Sequence, residues 1–389
     1  MVLPIGYNIR SLRARFQVTL MAVLGIALVV AVVAILMSMS EGFATALRET
    51  GRPDNAIIVQ RGTPGEAMSR IVLEHRQAIL NDDRLVRLAD GRPLASWETV
   101  TTMSLRRRAD GRRANVTLRG VTPQAFEVRG GIEITAGRRF SPGLSEVMVG
   151  RRILDRVRGL DLGGTFLYRR KEMKVVGVFE SQGASFESEV WMDFDLLGAY
   201  RFTRTDATSL VVRMRDPTQI GALDRWIRSQ PGMALQALPE RQFYEQQSGV
   251  VSTTLKVLAA FVALVMGVGA VFGAMNTMYA IVAARTREIG TLRAIGFSRG
   301  AILLCFVMES GFLALVGGVL GCLLALTVHG YSTGAANMQS YTEVAYAFRV
   351  TPRIVASCLS FAVVLGIVGG LLPALRAARL SIAAAVREA

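Results

Sequence analysis

Charge is scarce in this chain. Only 19% of its 389 residues are Asp, Glu, Lys or Arg, against roughly 25% in an ordinary soluble domain. Histidine occurs twice, which leaves little scope for a His-rich metal site. The three cysteines, Cys305, Cys322 and Cys358, all fall inside apolar runs, which excludes a disulfide-stapled scaffold. Lysine is confined to Lys171, Lys174 and Lys256, and every other basic residue is arginine. There is no G-x-x-x-x-G-K-[ST] phosphate loop, no G-x-S-x-G nucleophile elbow and no Cys/His cluster at zinc spacing. The expectation is a chain that is not itself an enzyme and holds no cofactor or metal of its own.

Apolar residues fill the space that charge leaves. They make up 51% of the chain, and the mean hydropathy is +0.37. A helix needs about 20 mostly apolar residues to cross a bilayer. Residues 18–39, 257–284, 301–328 and 354–375 meet that requirement, with Glu309 the only charge among them. Backbone groups in lipid must satisfy one another, so these runs are expected to be helices. The first is expected to stay as a span. It is longer than the 7–15 apolar residues of a signal peptide, and no A-x-A-like site follows it.

Short-loop charge sets the expected orientation. The N-terminus (1–17) carries Arg10, Arg13 and Arg15 and no acid. Loop 285–300 carries Arg285, Arg287, Arg293 and Arg299 against Glu288 alone. The tail (376–389) carries Arg376, Arg379 and Arg387 against Glu388. These three read as cytoplasmic. Loop 329–353, with Arg349 and Arg353 against Glu343, reads as external, and so does the long insert 40–256. The fold class expected is therefore an α-helical membrane protein with four transmembrane helices and a large α+β extracytoplasmic domain between the first and second spans. Its place is the cell inner membrane, among lipids, with both termini cytoplasmic.

Within the insert, Asn55–Arg61 reads as a strand and Ser69–Leu80 as a helix. Val100–Leu118 reads as a hairpin turning at Asp110-Gly111. Lys174–Phe179 and Val190–Met192 read as short buried strands. Residues 210–237 read as strand, helix, strand. Pro239–Gln247 is helical in pattern and is expected to run unbroken into the second span as a stalk. Asp82-Asp83 and Asp193/Asp195 read as solvated or salt-bridged acids, His75 as a helix-surface residue and His329 as a polar end to a span. The arginine runs at 106–108, 112–113, 151–152 and 169–170 read as surface, with acidic lipid or a partner protein as the alternative ligands and nucleic acid not expected. Glu309 lies eight residues past Ala301, about 12 Å along a helix at 1.5 Å per residue. It reads as a proton or substrate site, as one half of an interhelical hydrogen bond, or as a position shallow enough to reach the cytoplasmic interface. Gly269/Gly273, Gly317/Gly321 and Gly366/Gly370 permit close helix approach, within one chain or between two.

The segment from Arg285 to Gly296 (RTREIGTLRAIG) is short and basic, with Ile289, Leu292 and Ile295 at near-helical period. A short amphipathic helix at the inner face follows, presenting an apolar ridge to a partner's groove. Arg287, Glu288 and Arg293 are the expected polar contacts.

Here the residues carry a resemblance. Asn276-Thr-Met, the Arg285–Gly296 string, Ile302-Leu-Leu, Glu309 and the glycines Gly317, Gly318 and Gly321 resemble the FtsX/MacB-like permease family. These are membrane subunits of type VII ABC transporters. The tail Leu372-Pro-Ala-Leu-Arg376 is similar to the family's C-terminal motif. Arg119-Gly-Val-Thr-Pro123, Gly137-Arg138, Val147-Met-Val-Gly150, Leu162-Gly163 and Val175-Val-Gly-Val178 are similar to the MacB-like periplasmic domain. The resemblance implies a cytoplasmic ABC ATP-binding subunit, which binds the ATP and docks on the loop between spans two and three. The coupling residues carried over are Arg285, Thr286, Arg287, Glu288, Ile289, Gly290, Leu292, Arg293, Ile295 and Gly296. It implies a second permease chain, homo- or heteromeric, paired around the first two spans. It also implies mechanotransmission, in which ATP-driven movement does work on the far side of the membrane. Only about 19 residues precede the first span, so the ATPase is expected on a separate chain. Export of a hydrophobic or amphipathic substrate, extraction of lipoproteins, and activation of cell-wall hydrolases as in division-type FtsX proteins stay open. So does a periplasmic adaptor or lipoprotein chaperone as a further partner.

Overall fold

The computed structural model describes residues 16–201, 206–337 and 342–380. Arg10, Arg13, Arg15, Arg387 and Glu388, which set the expected charge of the two termini, lie outside them. In chain order the elements are α1 (Phe16–Arg48), β1 (Asn55–Gln60), α2 (Leu73–Leu80), β2 (Ala95–Arg106), β3 (Arg113–Val121), α3 (Ala125–Arg129), β4 (Glu133–Gly137), β5 (Glu146–Gly150), α4 (Arg151–Leu154), β6 (Thr165–Tyr168), β7 (Lys171–Glu180), β8 (Glu189–Asp193), α5 (Phe194–Arg201), β9 (Ser209–Arg213), α6 (Ile220–Ser229), β10 (Leu235–Pro239), α7 (Glu240–Ala284), α8 (Thr286–Ala294), α9 (Arg299–Leu326), β11 (Ser332–Asn337), β12 (Thr342–Ala347) and α10 (Pro352–Arg379).

The chain divides into two compact units. One holds most of α1, α7 from Thr253 onward, α8, α9 and α10. Among the described residues α1, α7, α9 and α10 are the four helices long and apolar enough to cross a membrane. Local signals start two of them. Ser298 accepts from the Ala301 N–H at the head of α9, and Thr351 accepts from the Ile354 N–H at the head of α10, where Pro352 has no N–H that would need an acceptor. Glycine lets their backbones approach. A Cβ on Gly317 would stand 2.8 Å from the Val23 carbonyl oxygen, and one on Gly321 2.5 Å from that of Ala27. Gly366 and Gly370 meet Ala314 and Ser310 of α9 in the same way. Gly269 and Gly273 face open space.

The other unit comprises Gly42–Ser252 with Ser332–Ala347. Its sheet runs β10-β1-β9-β2-β3-β8-β5-β7-β4, with β6 on β7. Pairings β3–β8 and β5–β7 are parallel and the rest antiparallel. The hairpin expected at Asp110-Gly111 is present: Gly111 takes φ +67°, Asp110 caps the Arg112 N–H at 3.1 Å, and β2 pairs β3 from Arg106↔Arg113 to Glu98↔Val121. The helix expected from Ser69 begins only at Leu73, because Ile71 is drawn into a bridge with Ala207. Two separate apolar cores form. One packs α2 and α6 under β1, β9 and β10 through Ile58, Ile79, Leu210 and Leu223. The other gathers Val116, Val149, Val175 and Val190. The stretch 329–353, read from sequence as a plain loop, carries the β11–β12 hairpin. That hairpin belongs to the sheet unit: Thr117 bonds Thr342 at 3.0 Å, Arg107 pairs with Glu343 at 2.9 Å, and Arg156 also meets Glu343.

The secondary candidates have ordinary partners. Asp82 pairs with Arg84, Asp193 accepts from the Leu196 N–H, and His329 accepts from the Val350 N–H. Several of the run arginines are engaged, Arg108 with Asp161, Arg112 with Asp110 and Arg152 with Glu187.

Candidate functional site

The segment between the second and third apolar helices folds into α8, a helix of nine residues. Both ends are defined by local chemistry. At its start Thr286 turns its hydroxyl back onto the carbonyl oxygens of Val282 and Ala283. At its end the Gly296 N–H donates to Arg293 and the Phe297 N–H to Leu292, the paired bonds of a Schellman stop. Gly296 sits at φ +106°, where a side chain would be strained. That explains glycine at the end of the motif without reference to any partner.

The apolar ridge is split between two surroundings. Ile289 is buried against Met278, Ile302 and Phe306, and Gly290 is buried beside it. Leu292 is half-buried. Ile295 is 72% exposed. The polar residues divide likewise. Arg293 turns inward, and its Nη1 donates to the carbonyl oxygens of Leu380 and Ala378 at the end of α10, where helix carbonyls lack internal partners. Arg287, Glu288, Thr291 and Ile295 remain on the outer surface.

Arg285 and Glu309, 24 residues apart in sequence, come together. Arg285, only 5% exposed, donates from Nη1 to Glu309 Oε2 at 3.0 Å and from Nε to Glu288 Oε2 at 3.1 Å. Its guanidinium carbon lies 5.1 Å from the Phe306 ring centroid, one helical turn before Glu309. An acid inside an apolar helix needs such a partner. The second oxygen of Glu309, Oε1, is buried and has no hydrogen-bond partner among the described residues. The pairing was signalled by one arginine at a span's edge and one acid about two turns into the next. α8 is thus pinned at both ends, through Arg285 to α9 and through Arg293 to α10. Among the described residues no three His, Cys, Asp or Glu side chains converge as a metal site would require.

Known proteins match the chain along its length. The model of the MacB-like periplasmic core domain matches residues 19–230, and that of the FtsX-like permease C-terminal region matches 260–382. The macrolide export ATP-binding/permease protein MacB of Neisseria meningitidis is 24% identical over 400 residues, covering 97% of this chain and 58% of that protein. MacB 1/2 of Paracoccus denitrificans is 26% identical over 285 residues, covering 69% of this chain and 41% of that one. The chain spans about half the length of the curated relatives it matches. The periplasmic region of MacB from Actinobacillus actinomycetemcomitans overlays with a TM-score of 0.36 at 14% identity, over 54% of this chain and 95% of that one. With one family model covering more than half of the sequence and a second most of the remainder, the chain belongs to the MacB/FtsX-like family of ABC transporter permeases.

Proposed function

We propose that the chain works as a mechanical transmitter: an ATP-binding unit docks on the outer face of α8, and its closure is carried through the membrane helices to the sheet unit on the far side. The observation that carries this reading is the division of labour within α8. Arg287, Glu288, Thr291 and Ile295 face outward as a docking patch, while Arg285, Ile289 and Arg293 anchor the same helix to α9 and α10. The arginine-rich inner segments support placing α8 in the cytoplasm, with both termini, in the cell inner membrane. ATP chemistry belongs to the docking unit under this reading. Cargo is an apolar or amphipathic molecule for export, or a lipoprotein drawn from the membrane.

A second permease chain fits the same scheme. Met21, Ala22, Gly25, Ile26 and Val29 of α1 line a groove of about 360 Å³ with Met266, Gly269, Ala270 and Gly273 of α7. No side chain comes within 4 Å of a Cβ placed on Gly25, Gly269 or Gly273, so the groove has room for a helix of a partner copy.

The test is coupled transport in reconstituted vesicles containing the ATP-binding unit. Glu288→Lys and Ile295→Asp should each cut output per ATP by about tenfold or more, a loss of at least 1.4 kcal/mol of coupling, while insertion stays normal. Full coupling in both correctly inserted variants removes α8 as the entry point. Labelling that places residues near 290 and near 150 on one side of the membrane removes the reading altogether.

A further inference from the structure

Helix α7 begins inside the sheet unit with a carboxylate that never meets solvent. Glu240, its first residue, accepts from Arg129 Nη1 at 2.6 Å, from Asn55 Nδ2 at 2.8 Å and from the Arg52 backbone N–H at 3.0 Å. An acid at this position also complements the helix dipole. About one turn later the Tyr244 hydroxyl donates to Glu66 Oε1. Glu66 in turn accepts from Arg119 Nη1. Arg119 forks onto Glu189 at 2.7 and 2.9 Å and reaches Glu98 at 2.7 Å. Arg129 forks onto the same Glu98 at 2.8 and 2.7 Å. The Phe186 ring lies 4.3 Å from the Arg129 guanidinium carbon and 5.2 Å from that of Arg119. None of these six charged residues is more than 6% exposed.

A buried ionic cluster is a poor source of net stability, since apolar residues of the same volume often serve as well. Its distinctive property is geometric, because every partner must be in place at once. The location gives that property a use. The two apolar cores meet along β2, which gives Ala95 to the first and Met103 to the second; Glu98 lies between those positions and is bonded by Arg119 of β3, whose Val116 and Leu118 belong to the second core. Glu66, Arg129 and Glu189 join them from other parts of the sheet unit, and Glu240 and Tyr244 both come from the first turns of α7.

We propose that this cluster is a joint that locks the two halves of the sheet unit in one arrangement only while the first turns of α7 supply Glu240 and Tyr244. Withdrawing or turning that end of α7 takes one partner each from Arg129, which keeps Glu98, and from Glu66, which keeps Arg119, and so loosens the halves where the cores meet along β2. The movement of α7 rests on the transmitter reading above; the lock itself does not.

Spin labels at Arg225→Cys on α6 and Glu172→Cys on β7 report the distance between the halves. They are placed in the full chain in lipid nanodiscs, with Cys305, Cys322 and Cys358 replaced by alanine. Without nucleotide, Tyr244→Phe, which removes one hydroxyl, and Glu240→Gln should each broaden the distance distribution about twofold. The control Tyr168→Phe, a buried tyrosine of the second core, should leave it narrow. Unchanged widths in both cluster variants, or equal broadening in the control, overturns the joint. In a second arm the ATP-binding unit and ATP are added. The mean distance should shift in the parent chain, and the shift should be lost in Tyr244→Phe. A parent chain that ignores ATP defeats the transmitter reading, while the nucleotide-free widths still decide the joint.

Discussion

Buried charge flanks helix α7 at both ends of its sequence, and the two ends are built differently. At the start, Glu240 has three donors, and Arg129 and Arg119 both fork onto carboxylates. Just past the finish, a single guanidinium, Arg285, serves Glu309 and Glu288, and one oxygen of Glu309 is left over. A saturated cluster holds one arrangement and fails as a whole when a partner is lost. A thin one has an acceptor in reserve and tolerates exchange of donors. The lesson is that fixing a geometry and admitting movement call for opposite hydrogen-bond accounting, and one helix carries both.

The largest effect should come from breaking the saturated end. Arg129→Met leaves Glu98 and Glu240 buried without their shared cation, and denaturant unfolding of the full chain should show a loss of about 3–5 kcal/mol. A loss below about 1 kcal/mol would put that end on a par with exposed pairs. At the thin end, a double-mutant cycle of Arg285→Met and Glu309→Leu should give a coupling of about 1–3 kcal/mol by thermal unfolding in detergent. Additive single effects would mean the pair does no work.

Glycine provides a parallel contrast. Gly321→Leu forces a side chain into the Ala27 carbonyl and should cost about 1–3 kcal/mol of helix-unit stability. Gly273→Leu, facing open space, should leave the fold intact and weaken association between copies, seen as a shift in sedimentation. The saturated cluster should also be sensitive to acid. Burial raises the Glu98 carboxyl, but Arg129 and Arg119 outweigh it and hold it below its usual 4.5. A depressed carboxylate contributes stability that is complete above the unfolded value and is lost as pH falls through the folded one. The Glu98 contribution to the unfolding midpoint should therefore fade as pH falls below 4.5, opposed by Glu240, whose carboxyl burial raises, and Glu98→Gln should remove that contribution from the profile. The smallest effect belongs to Ile295→Ser, which should change stability by no more than about 0.5 kcal/mol because the side chain is exposed. Only coupling to the ATP-binding unit should suffer.

Much of this was legible in the residues, and what was not has a physical cause. The four apolar helices announce themselves through length and lack of charge. The β2–β3 hairpin is written in Asp110-Gly111, and the stalk in an unbroken helical pattern from Glu240. Ile289, Leu292 and Ile295 share a period, but the period does not reveal which of them a neighbouring helix will cover. Glu98 and Arg119 sit at strand positions indistinguishable from solvent-facing ones, because their other charged partners, Arg129, Glu66 and Glu189, come from three other segments. The β11–β12 hairpin is equally silent, since Ser332–Asn337 has few large apolar residues and depends on Thr117, Arg107 and Arg156, which lie far away in sequence.

That hairpin bears on how the protein is made. The sheet unit is complete only when Glu343 reaches Arg107 and Arg156, yet the ribosome releases both arginines long before it reaches position 343. Until the chain has been made past α9, Arg107 and Arg156 lack Glu343 and Thr117 lacks Thr342. The last pieces of the sheet unit therefore follow α9 in the order of synthesis. A recombinant fragment cut as one continuous stretch from 42 to 252 would reproduce the unfinished form, and splicing residues 332–347 back onto it would be the way to recover the finished one.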